Sequence, residues 1–310
     1  MIPHWRFLRK AMRLHRVLGP KPPAILYKYF PPERIDVLET GKIRFTQPCL
    51  FNDPFESAPA YLELFRPREF ERTLRAQAMQ TSMPEETRLA VSRYLNAGPS
   101  AEALKRLCAS LLIDLMGRCM GILSLTEKND NLLMWAHYAQ CHEGFVVGVT
   151  TADPFFSQTG EEKHVPNYLG KVRYSRKRPR LKYLTEFGLA EVYFTKSQQW
   201  VYEQEWRVFR PTVAGDAAKV WESVLTWLSE PDHLPTLPDY PVRLYGFPSS
   251  SVSRVILGCR ASEETSKAIA AVVKARYPGA KLLKAQRDTS KFRLMLRPMM
   301  ADGAKDSPDS

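Results

Sequence analysis

The run Gly144-Phe145-Val146-Val147-Gly148-Val149 has no polar position to turn toward water, and its length and β-branched content mark it as a central strand. Further β-rich runs stand along the chain at Ala24 to Phe30, Ile43 to Thr46, Arg118 to Thr126, Val252 to Gly258 and Ala280 to Ala285. The expected fold is α+β: a mixed, mostly antiparallel sheet core with a helical lobe inserted after the first strands. The expected division is a basic extension over 1–23, a single domain over 24–298 with its helical insertion at about 67–117, and a disordered tail over 299–310.

Local signals place the helices. Pro31 and Pro32 open one that runs through Leu38, with Gly41 as its C-terminal cap. From Pro67 to about Met116 the pattern is helical, with breaks at Pro84 and Gly98-Pro99. Asn129-Asp130-Asn131 caps a short helix over Leu132 to Gln140, and Ser262 with two following glutamates starts another that reaches Arg276. Helices are also expected over Leu184 to Lys196 and Val220 to Leu228. Residues 1–21 hold no acid, and Arg6, Arg9, Arg13 and Arg16 recur at helical spacing opposite Trp5, Leu8 and Met12. That basic amphipathic segment either meets an anionic surface or packs on the domain.

With 310 residues the chain can bury a substantial core, and 44% hydrophobic with 25% charged residues excludes a disordered polymer. A formal charge of +12 favours an anionic partner, such as a nucleotide, another anionic ligand or nucleic acid. Five cysteines without a C-x-x-C pair argue against both a disulfide framework and a structural zinc site, so no metal is expected. There is no apolar run of transmembrane length and no secretory h-region, and a cytoplasmic setting is expected.

Chemistry concentrates in Trp200-Val201-Tyr202-Glu203-Gln204-Glu205-Trp206-Arg207-Val208-Phe209. As one strand, its period of two sets Trp200, Tyr202, Trp206 and Val208 on one face and Glu203, Glu205 and Arg207 on the other. Two neighbouring carboxylates push each other's pKa values apart if that face lines a cleft; otherwise the face is simply a solvated Glu-Arg pair. Phe51-Asn52-Asp53-Pro54-Phe55-Glu56 has turn chemistry, and either locks a turn through side-chain to backbone bonds or presents Asp53 and Glu56 to a cleft. His137 and Cys141, at i and i+4, either share a helical face as ligands or a couple, or His137 serves as a proton shuttle or a packing residue. Lys171, Arg173, Arg176, Lys177, Arg178 and Arg180, interleaved with Tyr174, form either a nucleic-acid grip or a solvated basic hairpin.

Four pieces, Leu26-Tyr27-Lys28-Tyr29, Phe51-Asn52-Asp53-Pro54-Phe55-Glu56, Met134-Trp135-Ala136-His137-Tyr138-Ala139 with Gly144-Phe145, and Lys196 followed by Trp200-x-Tyr202-Glu203-x-Glu205-Trp206-Arg207, together resemble the bacterial domain-of-unknown-function family numbered 2971 across roughly residues 24 to 260. The resemblance implies that the four pieces meet around one site. A second, distant likeness is to the ADP-ribosyltransferase superfamily, with Glu203-x-Glu205 as the late carboxylate element, Ser124 or Tyr138 in the middle and Tyr27 or Tyr29 first, where that group has His or Arg. It implies NAD as cofactor. Glu205 would then stabilise positive charge on the ribose, Glu203 would orient or deprotonate the acceptor, and His137 would shuttle a proton. Tyr29 and Trp135 would stack on the bases, Arg207 and the basic run would hold the pyrophosphate, and Tyr27, Asn52, Asp53, Glu56, Tyr138, Lys196 and Trp200 would complete the cleft. Two alternatives stand beside it. One is a non-enzymatic nucleic-acid or protein-binding module of a phage-defence or stress system. The other is a nuclease holding Mg²⁺ on Asp53, Glu56, Glu203 and Glu205.

Overall fold

The apolar run is the middle of a sheet. In the computed structural model it forms a strand over Phe145–Thr150, with Phe145, Val146, Val147 and Val149 all buried. The structure describes residues 20–57, 61–62, 68, 71–72, 75, 85–104, 107, 120–157, 168–181, 191–211 and 242–299. The amphipathic segment at 1–19, most of the insertion between 67 and 117, the helix expected at 220–228 and the tail from 300 lie outside the described residues.

In chain order the strands are β1 (Ile25–Phe30), β2 (Lys42–Phe45), β3 (Tyr61–Leu62), β4 (Met120–Thr126), β5 (Phe145–Thr150), β6 (Tyr168–Lys171), β7 (Arg173–Ser175), β8 (Arg180–Leu181), β9 (Thr195–Ser197), β10 (Glu205–Pro211), β11 (Arg243–Gly246), β12 (Val252–Leu257), β13 (Lys281–Arg287) and β14 (Leu294–Pro298). The helices are α1 (Asp36–Thr40), α2 (Glu85–Asn96), α3 (Leu132–Tyr138), α4 (Pro154–Ser157) and α5 (Glu263–Arg276). Among the described residues, eight strands form one sheet in the order β14-β13-β12-β5-β1-β4-β10-β6. Every ladder in it is antiparallel except β12 with β13, which α5 connects. This is the mixed, mostly antiparallel α+β architecture expected from the sequence.

Local chemistry accounts for the elements. The Asn131 side chain accepts from the Leu133 and Met134 N–H groups at 3.0 and 3.1 Å, starting α3, and Ser262 accepts from the Thr265 N–H at 3.0 Å, starting α5. Gly41, at φ 65°, closes α1 in the left-handed conformation that glycine tolerates. At Gly148 on β5 a Cβ would lie 2.7 Å from Arg254 Cγ and 3.0 Å from the Tyr27 ring, so only glycine lets β1 and β12 close on this strand.

Side chains alternate across the sheet into two cores. One gathers Leu26, Leu123, Leu125, Val147, Trp206, Val208 and Val255 under α1 and α5; the other gathers Tyr27, Tyr29, Trp135, Val146, Ile256 and Ala285 against α3. Between β1 and β4 the ladder holds a single pair, Tyr27 with Thr126. Further along β4, Ile122 exchanges backbone hydrogen bonds of 2.9 Å with Thr46, just beyond β2. Ser124 lies between those two attachments, where the sheet opens.

Several expectations are corrected. The stretch from Trp200 is not one strand: Gln198–Glu203 is a 3-10 turn, Gln204 turns left-handed at φ 44°, and β10 starts at Glu205. The helix expected to run to Lys196 gives way by Thr195 to β9, which carries that lysine. The basic run is no hairpin, because β6 pairs with β10, β7 runs parallel to β9, and β8 runs parallel to β3. β14, which the sequence reading did not anticipate, pairs with β13 along the edge of the sheet.

Candidate functional site

The gap between β1 and β4 opens into a cavity of about 330 Å³. Tyr27 and Tyr29 line it from β1, Ser124 and Thr126 from β4, and Met134 and Tyr138 from α3, where i and i+4 spacing puts the last two on one face. The turn after β2 contributes Asn52, Asp53 and Glu56, and the segment from β9 to β10 contributes Lys196, Trp200, Glu203 and Glu205. Ten of the thirteen residues singled out as catalytic or substrate-binding therefore share one hollow.

Its floor is an ion cluster. The Lys196 ammonium lies 2.7 Å from Glu203 Oε2, 3.0 Å from Glu205 Oε2 and 3.6 Å from Glu56 Oε2. Arg207 Nε meets Glu205 Oε1 at 2.9 Å, and the other arms of that guanidinium pair with Glu56 and donate to the Tyr193 carbonyl. Three carboxylates thus face two cations, all but sealed from water, with side-chain exposures of 0% to 7%. Burial raises the Glu205 carboxyl above its ordinary value, opposed by Lys196 and by a Ser124 hydrogen bond, with Glu203 adding to the rise. On Lys196 burial pulls downward, but Glu205 and Glu203 outweigh it and hold the ammonium above the usual lysine value.

Around the floor three aromatic hydroxyls are committed. Tyr138 donates to Glu203 Oε1 at 2.6 Å, and burial, then the Glu203 charge, push the phenol upward so that it keeps its proton. Tyr29 donates to the Lys128 carbonyl at 3.0 Å. The Tyr174 oxygen accepts from the Glu205 N–H at 2.8 Å, fixing the start of β10. Both readings of the asparagine turn hold together: Asp53 Oδ1 accepts from the Phe55 N–H at 2.8 Å, while Oδ2 accepts from Trp200 Nε1 at 3.0 Å at the cavity.

Three candidates lie elsewhere. Trp135 is fully buried, its indole N–H on the Asn129 carbonyl and its ring edge-on to Tyr29 at 5.3 Å, so it is core and offers no stacking surface. His137 points to solvent outside the cavity lining. Its expected partner Cys141 follows the end of α3 at φ 51°, which breaks the i, i+4 relation. Arg207 has no exposed surface and braces the carboxylates from behind, where it cannot reach a pyrophosphate. Of the basic run, Lys171 is drawn to Glu127 at 2.7 Å, while Arg173, Arg176, Lys177 and Arg178 are exposed, Arg178 lying 5.5 Å from the Phe55 ring. The Arg180 side chain lies outside the described residues. Two charged lining residues were not singled out, Lys28 on β1 and Arg44 on β2.

The cluster bears on metal chemistry. Lys196 and Arg207 occupy the space between the carboxylates of Glu56, Glu203 and Glu205, and among the described residues no group of three or more His, Cys, Asp or Glu has metal-holding geometry. Among the described residues the alternative Mg²⁺ site on Asp53, Glu56, Glu203 and Glu205 is therefore not formed, because organic cations take the place of the ion.

Fold and site together define an α+β protein with a ligand-sized cavity over a buried ion cluster. A family model described as "Protein of unknown function (DUF2971)" matches residues 134–208, a span that runs from α3 into β10 and includes Tyr138, Lys196, Trp200, Glu203, Glu205 and Arg207. The pieces from β1 and the asparagine turn lie outside the matched residues. No curated protein and no solved structure matches the chain. Among the described residues no helix is long and apolar enough to cross a membrane.

Proposed function

We propose that the cavity is the active site of an ADP-ribosyltransferase-like enzyme that uses NAD. The observation that carries this reading is the meeting of Glu203 and Glu205 on one lysine at the floor of a ligand-sized cavity, with a tyrosine hydroxyl on Glu203. When the bond from the ribose to nicotinamide breaks, nicotinamide leaves with the bonding pair and positive charge builds on the sugar. A carboxylate already fixed in place stabilises that charge without reorganising. Glu205, gripped by Lys196 and Arg207, supplies the fixed charge. Glu203, whose carboxylate oxygens meet only Lys196 and Tyr138 among the described residues, takes the proton of the acceptor as the new bond to the ribose forms.

The test is release of nicotinamide from NAD by the full chain, with transfer of an adenylate label to protein or nucleic acid. Wild type is expected to bind NAD by calorimetry and to release nicotinamide, and Glu203→Gln to lose release while still binding. If wild type neither binds NAD nor releases nicotinamide, the transferase reading fails.

A second reading is favoured by the exposed Arg173, Arg176, Lys177 and Arg178 and by Phe55, which is 61% exposed on the loop that also lines the cavity. Basic side chains around an exposed aromatic grip single-stranded nucleic acid. Such binding weakens steeply with salt, and a salt-independent or absent interaction rules it out.

A further inference from the structure

Two charged residues of the lining, Lys28 and Arg44, differ from the rest. Lys28 and Arg44 line the cavity, yet among the described residues neither side chain has an ion pair or a hydrogen bond. The Arg44 Nε is buried and unpartnered, although both residues are only half-buried as a whole. Lys28 feels Glu205 and Glu203 through space without touching either.

Alternation along β1 explains how Lys28 reaches the cavity. It shares a face with Leu26 and Phe30, which enter the main core, but the strands part beside it and its ammonium enters the gap. Arg44 approaches from β2, whose end is bonded to β4 at Ile122. Among the described residues, the cavity therefore has a floor on which carboxylates outnumber cations by one, and a wall with two cations that lack a side-chain partner.

A desolvated cation without a counter-charge is costly to maintain, and water satisfies it poorly once the site closes around a ligand. An arginine fork and a lysine point charge together form a common phosphate grip. We propose that Lys28 and Arg44 are the phosphate-binding pair of this cavity, which takes a nucleoside phosphate with its phosphate on that wall and its sugar toward Glu203 and Glu205. The proposal rests on the cavity being a nucleotide site and requires no glycosidic chemistry. About 330 Å³ lies at the small end of ligand pockets, roughly 300 to 1,000 Å³, and suits one nucleotide half with any second half outside.

The test is calorimetry of the full chain at low salt with ADP-ribose, AMP and inorganic pyrophosphate, alongside adenosine as the phosphate-free probe. ADP-ribose and AMP are expected to bind, adenosine at least tenfold more weakly, and Lys28→Met and Arg44→Gln each to weaken the phosphate-bearing probes tenfold or more. Should Arg44→Gln not fold, Arg44→Lys replaces it, since it keeps the charge but loses the fork and is expected to weaken ADP-ribose severalfold. The proposal is overturned if no phosphate-bearing probe binds, or if both wall variants bind like wild type. Phosphate-dependent binding through this wall without nicotinamide release from NAD would support the subsite and defeat the transferase reading. Nicotinamide release unaffected by either variant would do the reverse.

Discussion

The floor and the wall of the cavity treat charge in opposite ways. On the floor, Lys196 and Arg207 tie up the carboxylates of Glu56, Glu203 and Glu205, and the five groups are almost sealed from water. On the wall, the Lys28 and Arg44 side chains stand beside the same hollow with no partner among the described residues. Satisfied charges hold a shape that exists before any ligand arrives, and unsatisfied ones mark what has still to arrive.

The sharpest way to break this contrast is to remove a floor cation. Arg207→Met strands Glu56 and Glu205 in a buried place, and the urea midpoint is expected to fall by an amount equivalent to about 3–5 kcal/mol. A loss under roughly 1 kcal/mol would mean that the cluster is loosely solvated. Next in size, Glu203→Gln keeps the shape while removing the charge, and nicotinamide release is expected to fall by about 10²–10⁴-fold with the melting temperature nearly unchanged. A variant that melts early instead would recast Glu203 as a structural member of the cluster.

Lys28 should behave in the opposite sense to Arg207. Burial lowers its ammonium to about 8, with Glu205 and Glu203 raising it and Lys196 and Arg34 lowering it further. Between that value and the unfolded lysine's ~10.4, the unfolded chain binds the proton that the folded chain does not, so this group's contribution to stability rises with pH through the window. Below it the charged Lys28 is a burden, and Lys28→Met is expected to stabilise the protein at pH 7 by about 1–3 kcal/mol while anion affinity drops. Thermal melts and calorimetry on the same samples check both halves. The smallest effect is in pH: affinity for ADP-ribose should hold below pH 8 and decline above it, by at most roughly tenfold per unit, as the ammonium is lost. A flat profile up to pH 10 would assign the grip to Arg44 alone.

How much was legible in the sequence depends on whether the signal was local. The Phe145–Thr150 strand shows in an unbroken apolar run, and the starts of α3 and α5 show in Asn131 and Ser262, because each depends on residues within a turn of itself. The gathering of Tyr138, Asp53, Lys196, Glu203 and Glu205 was legible only as a familiar combination of pieces. The break at Gln204 was hidden because the alternation of Trp200 to Phe209 continues through it, and glutamine gives no notice of a positive φ. Trp135, His137 and Tyr138 sit together in one motif, yet successive helical positions point about 100° apart, so one is core, one solvent and one cavity. Lys28 looked like an ordinary polar position on a strand. Its role depends on where β4 stops pairing with β1, a long-range event with no local mark.

That parting has a mechanical consequence. Tyr27 and Thr126 form the lone rung in the described ladder between a five-strand panel, β14 to β1, and a three-strand panel, β4, β10 and β6. Lys28 rides on the first panel and Glu205 on the second, so a molecule that engages both acts as a rivet across the joint. Occupancy would then register as slowed amide exchange along β1 and β4, well beyond the atoms that the guest touches.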